Sequence, residues 1–381
     1  MQLNPIYDTL PAYPFPRLRA LLGDTPAGHA DPIDLTLGAP RQAPPDFVKS
    51  IIADNFAEFG KYPPIAGTLE LKEAIASWLK HRYRANVKQE AVLPLVGTRE
   101  GLYMLAQLAA RPGRDHVLLP NPFYPAYSAA ALTIGATPVY MTCDDSTGYL
   151  PDLSALKPEV LSRTALMFLC SPSNPQGAAA TRGYLEKAIA LARQYDFLLA
   201  VDECYAEIWT HDPPYGALEA AGDDHSKLVV LHSLSKRSNL PGLRSGFIAG
   251  DQTVIAGFQK LRSYGGPTMP LPLQAASAAC WRDQTHVEEA RALYDAKFAL
   301  AERLLGVTRP AGGFFLWLPV EDDENTTLRL WKEHGVKVLP GQYLASTPEK
   351  GQNPGRNYIR VALVESVART RDALERLAAA L

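Results

Sequence analysis

Between residues 92 and 250 the chain alternates short β-branched or aliphatic runs with longer stretches whose apolar residues recur at helical spacing. Parallel βα units produce this alternation, because each strand is buried by the helices that cross over its sheet. Seven runs read as strands, near 92–96, 117–119, 138–141, 166–170, 197–201, 229–232 and 247–249. Most are followed by a Gly, Pro, Ser or Asn cluster, and several then enter a helix. In the helix expected over 98–110, Leu102, Leu105, Leu108 and Ala109 share one face. The expected class is α/β: a mostly parallel seven-stranded sheet sandwiched by helices, with a smaller α+β domain.

The flanks give the expected boundaries. Residues 1–45 form a Pro-rich arm that packs on another surface and joins the small domain. An amphipathic stretch over 47–59 then ends at the breaker Gly60-Lys61-Tyr62-Pro63-Pro64. After about 282 the pattern changes to a long polar-faced helix, a strand at 314–318, a helix near 328–334 and strands at 336–339 and 358–361. The reading is therefore a large domain over 46–282 and a small C-terminal domain over 283–381.

Composition narrows the partners. With 38 Lys plus Arg against 40 Asp plus Glu, the net charge is −2, and no basic field exists to collect nucleic acid or an anionic membrane. A small-molecule partner is expected. The N-terminus lacks a basic, apolar leader pattern, and no apolar window is long enough for a membrane span, so a cytoplasmic protein is expected. Cys143, Cys170, Cys204 and Cys280 lie far apart without ligand spacing, which predicts reduced thiols and no metal site.

In open α/β sheets ligands bind outside the carboxyl ends of the strands, so the turns that follow them carry the chemistry. One such turn is Ser233-Leu234-Ser235-Lys236, with Arg244 eight residues on. A lysine there, flanked by hydroxyls, can form a Schiff base with an aldehyde while its neighbours hold a phosphate. Alone, it also reads as a solvated basic loop. The Ser-x-x-Lys nucleophile of penicillin-recognising enzymes is a rival, but its S-D-N and K-T-G partners are missing.

Asp202-Glu203-Cys204-Tyr205 follows another buried run. A carboxylate there either caps the next helix or pairs with a cation such as a protonated pyridine nitrogen. In Ser171-Pro172-Ser173-Asn174-Pro175-Gln176-Gly177 the asparagine, held between prolines, either aims its amide at a ligand oxygen or completes a plain turn. Gly97-Thr98-Arg99-Glu100-Gly101 leads into a helix whose first amides can cradle a phosphate. Asn121-Pro122-Phe123-Tyr124-Pro125 offers an aromatic lid or core packing. Many of the 32 prolines and 27 glycines fall in these turns, where they stiffen the loops that carry polar side chains.

Together, S-x-S-K with an arginine at plus eight, D-x-x-Y after a strand and S-P-x-N-P-x-G closely resemble the fold type I, class I/II aminotransferases that use pyridoxal 5′-phosphate. The resemblance implies that Lys236 carries the cofactor and shuttles a proton, and that Asp202 partners the pyridine nitrogen. It implies that Asn174 and Tyr205 hold the phenolate oxygen, that Tyr124 stacks on the ring, and that Thr98, Arg99, Ser233, Ser235 and Arg244 form the phosphate cup. In Lys61-Tyr62-Pro63-Pro64 it implies a homodimer in which Tyr62 crosses to the other subunit's phosphate. Arg360, in Arg356-Asn357-Tyr358-Ile359-Arg360, resembles the clamp on the substrate α-carboxylate, with Gly38 and Asn174 beside it. Gln176 departs from the threonine that the family prefers.

Within the family, the chain resembles the proteobacterial N-succinyldiaminopimelate aminotransferases most closely, through stretches such as Pro11-Ala12-Tyr13-Pro14-Phe15 and Arg237-Ser238-Asn239-Leu240-Pro241-Gly242. The implied reaction moves an amino group between glutamate and N-succinyl-2-amino-6-oxopimelate, on the route to diaminopimelate and lysine. Alternatives are transamination of aspartate, alanine or an aromatic amino acid, or a carbon–sulfur β-lyase on the same cofactor. An acidic substrate needs a second cation, for which Arg262 and Arg99 are the candidates.

Overall fold

A computed structural model describes residues 1–348 and 351–381. The seven expected runs form one sheet, in the spatial order Val92–Leu95, Gly246–Gly250, Leu228–Ser233, Leu198–Asp202, Thr164–Cys170, His116–Asn121 and Thr137–Thr142. All are parallel except Gly246–Gly250, which runs antiparallel to both neighbours. The reason is local: only the single helical turn Leu234–Arg237 and the 3-10 turn Pro241–Leu243 separate it from Leu228–Ser233, too little chain for a covering crossover helix.

Alternation along these strands divides their side chains between two cores. Leu228, Val230, Leu199 and Val201 pack on one face with Trp78, Leu185 and Trp281. Val229, Leu231, Leu198 and Ala200 pack on the other with Leu102, Leu105, Tyr127 and Phe258. Only Thr137–Thr142, at the sheet edge, keeps exposed positions at both ends.

A third core gathers Tyr294, Phe298 and Ala301 of the long helix Thr285–Leu305 with Phe315, Leu316, Ile359, Val361 and the C-terminal helix Val367–Ala380. Its three-stranded antiparallel sheet has the order Leu339–Pro340, Tyr358–Ala362, Phe315–Pro319. The single strand expected over 336–339 is split. Val336–Lys337 pairs in parallel with Ile33–Asp34 of the arm, whereas Leu339–Pro340 pairs with Ile359 and Arg360. Each half has a different partner distant in sequence, which a continuous apolar run does not display.

The arm packs on this part of the chain. Pro14 starts the helix Pro14–Leu22, where its missing amide hydrogen costs nothing, and Leu18 and Leu22 are buried against Leu339, Tyr343 and Leu344. The helix thereby sets Tyr13 and Phe15 beside the carboxyl ends of the large sheet. Among the described residues no helix is long and apolar enough to cross a membrane.

Candidate active site

The strand ends open on a cavity of about 270 Å³ lined by Lys236, Asp202, Asn174, Tyr205, Thr98, Arg99, Tyr124, Ser233, Ser235, Arg244, Gly38 and Arg360. Of the expected site residues, Tyr62 alone stands apart. Its side chain is 102% exposed and does not line the cavity.

Lys236 reaches the cavity because Ser233 caps the turn that follows its strand. The Ser233 Oγ accepts from the Ser235 amide at 3.0 Å, starting the short helix that carries the lysine. The lysine Nζ donates to the Gly38 carbonyl and lies 5.5 Å from the Phe314 ring centroid. Loss of solvent around the ammonium lowers its pKa to about 8. Gly38 is required at this approach, since a Cβ would stand 2.6 Å from Phe315 Cζ.

Asp202, 6% exposed, closes its strand at the cavity floor. Its carboxylate accepts from the Tyr127 hydroxyl at 2.8 Å and from the Cys204 amide at 3.2 Å. Burial raises its pKa, and these donors work against that. No lysine or arginine makes an ion pair with it among the described residues. Asp202 is thus a carboxylate prepared for a cation that the chain itself does not provide.

Arg360 is 5% exposed, with its guanidinium 4.4 Å from the Phe315 ring centroid. One Nη donates to the Thr36 carbonyl at 2.6 Å and the other to the Asn174 Oδ1 at 3.0 Å, while Nε has no partner among the described residues. Burial lowers its pKa to about 10. Asn174 also donates to the Tyr205 hydroxyl at 3.5 Å, so these residues form one chain along the cavity wall.

A cup forms where Val92–Leu95 leads into the helix Thr98–Ala109. Gly97 occupies the N-cap position at φ 77° without a side-chain cap, which leaves the first amides free for a ligand. A Cβ there would stand 2.2 Å from Arg244 Nη2, so glycine makes room for the guanidinium. The Ser233 hydroxyl donates to the Ser245 carbonyl at 3.1 Å and lies 2.9 Å from the Ser235 hydroxyl. Arg99 Nε donates to the Tyr124 hydroxyl at 2.6 Å, fixing that ring at the cavity's edge.

The two candidates for a second cation separate clearly. Arg262 is 3% exposed and fully engaged, donating to Glu100, Pro94, Ile65 and Pro267, and it does not reach the cavity. Arg99 lines it. Residues that motif reading missed include Tyr127, Tyr13, Phe15 and Phe315. Tyr127 had a signal, since it lies one helical turn after Tyr124 in Pro125–Thr133. The aromatic residues of the arm had none, because their place depends on how distant elements dock. The four cysteines are free, and no metal-binding cluster exists among the described residues.

This fold is that of an aminotransferase. The profile of the family described as aminotransferase class I and II matches residues 30–381, and the chain belongs to that family. The chain is 33% identical to the 4-dedimethylamino-4-oxo-anhydrotetracycline transaminase of Streptomyces rimosus, over 92% of this chain and 94% of that one. It is 31% identical to the LL-diaminopimelate aminotransferase of Syntrophobacter fumaroxidans, over 97% and 96% respectively. The crystal structure of an aminotransferase from Neisseria meningitidis superposes with a TM-score of 0.95 at 36% identity, over the whole of both chains.

The family's cofactor is pyridoxal phosphate. The residues present fit it. The uncapped helix start and Arg244 suit a phosphate, the Asp202 carboxylate, which has neutral donors but no Lys or Arg ion pair among the described residues, suits a protonated ring nitrogen, and Lys236 supplies an amine.

Proposed function

We propose that the protein transfers an amino group from glutamate to N-succinyl-2-amino-6-oxopimelate. The observation that carries the transaminase reading is the convergence in one cavity of the Lys236 amine, the Asp202 carboxylate and Arg360 with an unpartnered Nε. Pyridoxal phosphate, when bound, supplies the electron sink that makes the substrate α-proton removable.

Lys236 would take up and return the substrate α-proton, a role suited to an amine whose pKa lies near 8. Asp202 would pair with the protonated ring nitrogen, its carboxylate oriented by the Tyr127 hydroxyl. Asn174 and Tyr205 would donate to the phenolate oxygen, and Tyr124 would pack on the ring. Thr98, Ser233, Ser235 and Arg244 would hold the phosphate together with the main-chain amide of Arg99 at the uncapped helix start, which leaves the Arg99 guanidinium outside the cup. Arg360 clamps the α-carboxylate, with Nε as the donor that its protein contacts leave over, and Gly38 lies alongside.

The succinylated acceptor is supported by the subfamily stretches in the arm and the lysine loop, and by the relatedness to LL-diaminopimelate aminotransferases. We further read the chain as an arm over 1–45, a large domain over 46–282 and a small domain over 283–381. This division is supported by the separation of the core around the large sheet from the core around Thr285–Leu305. A cytoplasmic homodimer is supported by the four free thiols and by the fully exposed Tyr62.

The test follows the visible spectrum of the purified holoenzyme with glutamate, and then with oxo acids. Loss of the yellow form with glutamate and its return with the succinylated oxo acid is the expected result. Return with other oxo acids only would remove the substrate assignment. No change with any amino donor would remove the transaminase reading.

A further inference from the structure

We propose that a second chamber beside the catalytic cavity is the subsite for the anionic far end of a long oxo acid, with Arg17 and Arg99 as its cations. The proposal rests on the transaminase reading but not on the succinylated acceptor. The chamber has a volume of about 550 Å³, twice that of the inner cavity. The two share Tyr13, Arg99, Phe123 and Tyr124 as a common wall. With the cofactor ring and the reacting carbons held in the inner space, a long substrate would continue into the outer one.

The chamber's chemistry selects what continues there. Tyr103, Phe123 and Tyr140 line it and suit a methylene chain. Its charges are of one sign: Arg17 and Arg99 line it, and no Asp or Glu does among the described residues. The Arg17 Cζ stands over the Tyr343 ring, 3.9 Å from its centroid, and Arg17 makes no ion pair among the described residues. Arg99 is tied to Tyr124 through Nε, which leaves its Nη groups for a ligand. Two partly exposed guanidiniums without counter-charges, at the rim of an aromatic channel, are matched by carboxylates at the end of a chain. Arg262 cannot serve this purpose, because Glu100 and three carbonyls already occupy it.

The test uses pairs of 2-oxo acids of matched chain length that differ only in a terminal carboxylate, from short to long, with the wild type and with Arg17→Leu and Arg17→Lys. The wild type is expected to prefer the diacid of the longer pairs by about tenfold in kcat/KM, most of it in KM, with no such preference in the shortest pair. Arg17→Leu is expected to remove the preference, and Arg17→Lys to restore part of it. Inhibition by long unreactive dicarboxylates should weaken in parallel, a binding readout independent of turnover. A wild type indifferent to the far carboxylate, or a preference unchanged in Arg17→Leu, would overturn the proposal. A long-diacid preference that depends on Arg17, without turnover of the succinylated acceptor, would keep the subsite and reject that acceptor.

Discussion

Lys236 and Asp202 are tuned in opposite senses by one cause, the loss of water around them. The lysine is pulled down to about 8, so the free amine becomes the major form above that pH. Cofactor uptake by the cofactor-free protein is therefore expected to accelerate with pH and to level off above about 8, measured by stopped-flow absorbance. A midpoint near the ordinary lysine value would contradict the assignment. The carboxyl of Asp202 is pushed up by burial and has only neutral donors, Tyr127 and Cys204, so a cationic ring nitrogen is its natural partner. Asp202→Asn keeps the shape and removes the charge. It is expected to lower kcat by about a hundredfold or more with the thermal midpoint of the cofactor-free protein nearly unchanged, since the loss falls on a charge pair made only in the holoenzyme.

The elements turn sequence into geometry, and not all of them are equally legible. Strands such as Thr164–Cys170 are buried at every position and stand out as apolar runs, and the polar residues just beyond them mark the cavity. The short strands Val336–Lys337 and Leu339–Pro340 read as one because their separate partners, Ile33 and Arg360, lie far away in the chain. Arg262 and Arg99 read alike as loop or helix cations, and only packing assigns one to a buried ion pair with Glu100 and the other to the cavity.

The helix start at Gly97 is readable as a phosphate cradle, but the clearance it gives Arg244 is a tertiary fact. Gly97→Ala adds a Cβ at positive φ against that guanidinium. It is expected to cost about 1 kcal/mol or more of stability and to raise the cofactor dissociation constant at least tenfold, read by calorimetry and by equilibrium dialysis. Unchanged cofactor retention would show that Arg244 is not part of the cup.

At the scale of the whole molecule, the cavity lies where separate packing units meet. Lys236 and Asp202 come from the large sheet, Arg360 from the three-stranded sheet, and Tyr13 and Phe15 from the arm that packs on Leu339 and Leu344. Tyr62 projects from the chain into full solvent, and its proposed role requires a second copy. Sedimentation equilibrium is expected to give about twice the chain mass of 41.6 kDa. Tyr62→Phe is expected to leave that mass unchanged and to weaken cofactor retention several-fold, as loss of one hydrogen bond to a charged group would. A monomeric holoenzyme at full activity would exclude the crossing role.

A transaminase moves an amino group to an acceptor, whereas a lyase on the same cofactor releases it as ammonia. The direct measurement supplies ¹⁵N-glutamate and an excess of oxo acid to the holoenzyme and follows the label by mass spectrometry. The label is expected to appear in the new amino acid in equal amount to the 2-oxoglutarate formed, and Lys236→Ala is expected to abolish the transfer. Label released as ammonia, or transfer at the wild-type rate without Lys236, would contradict the transaminase reading.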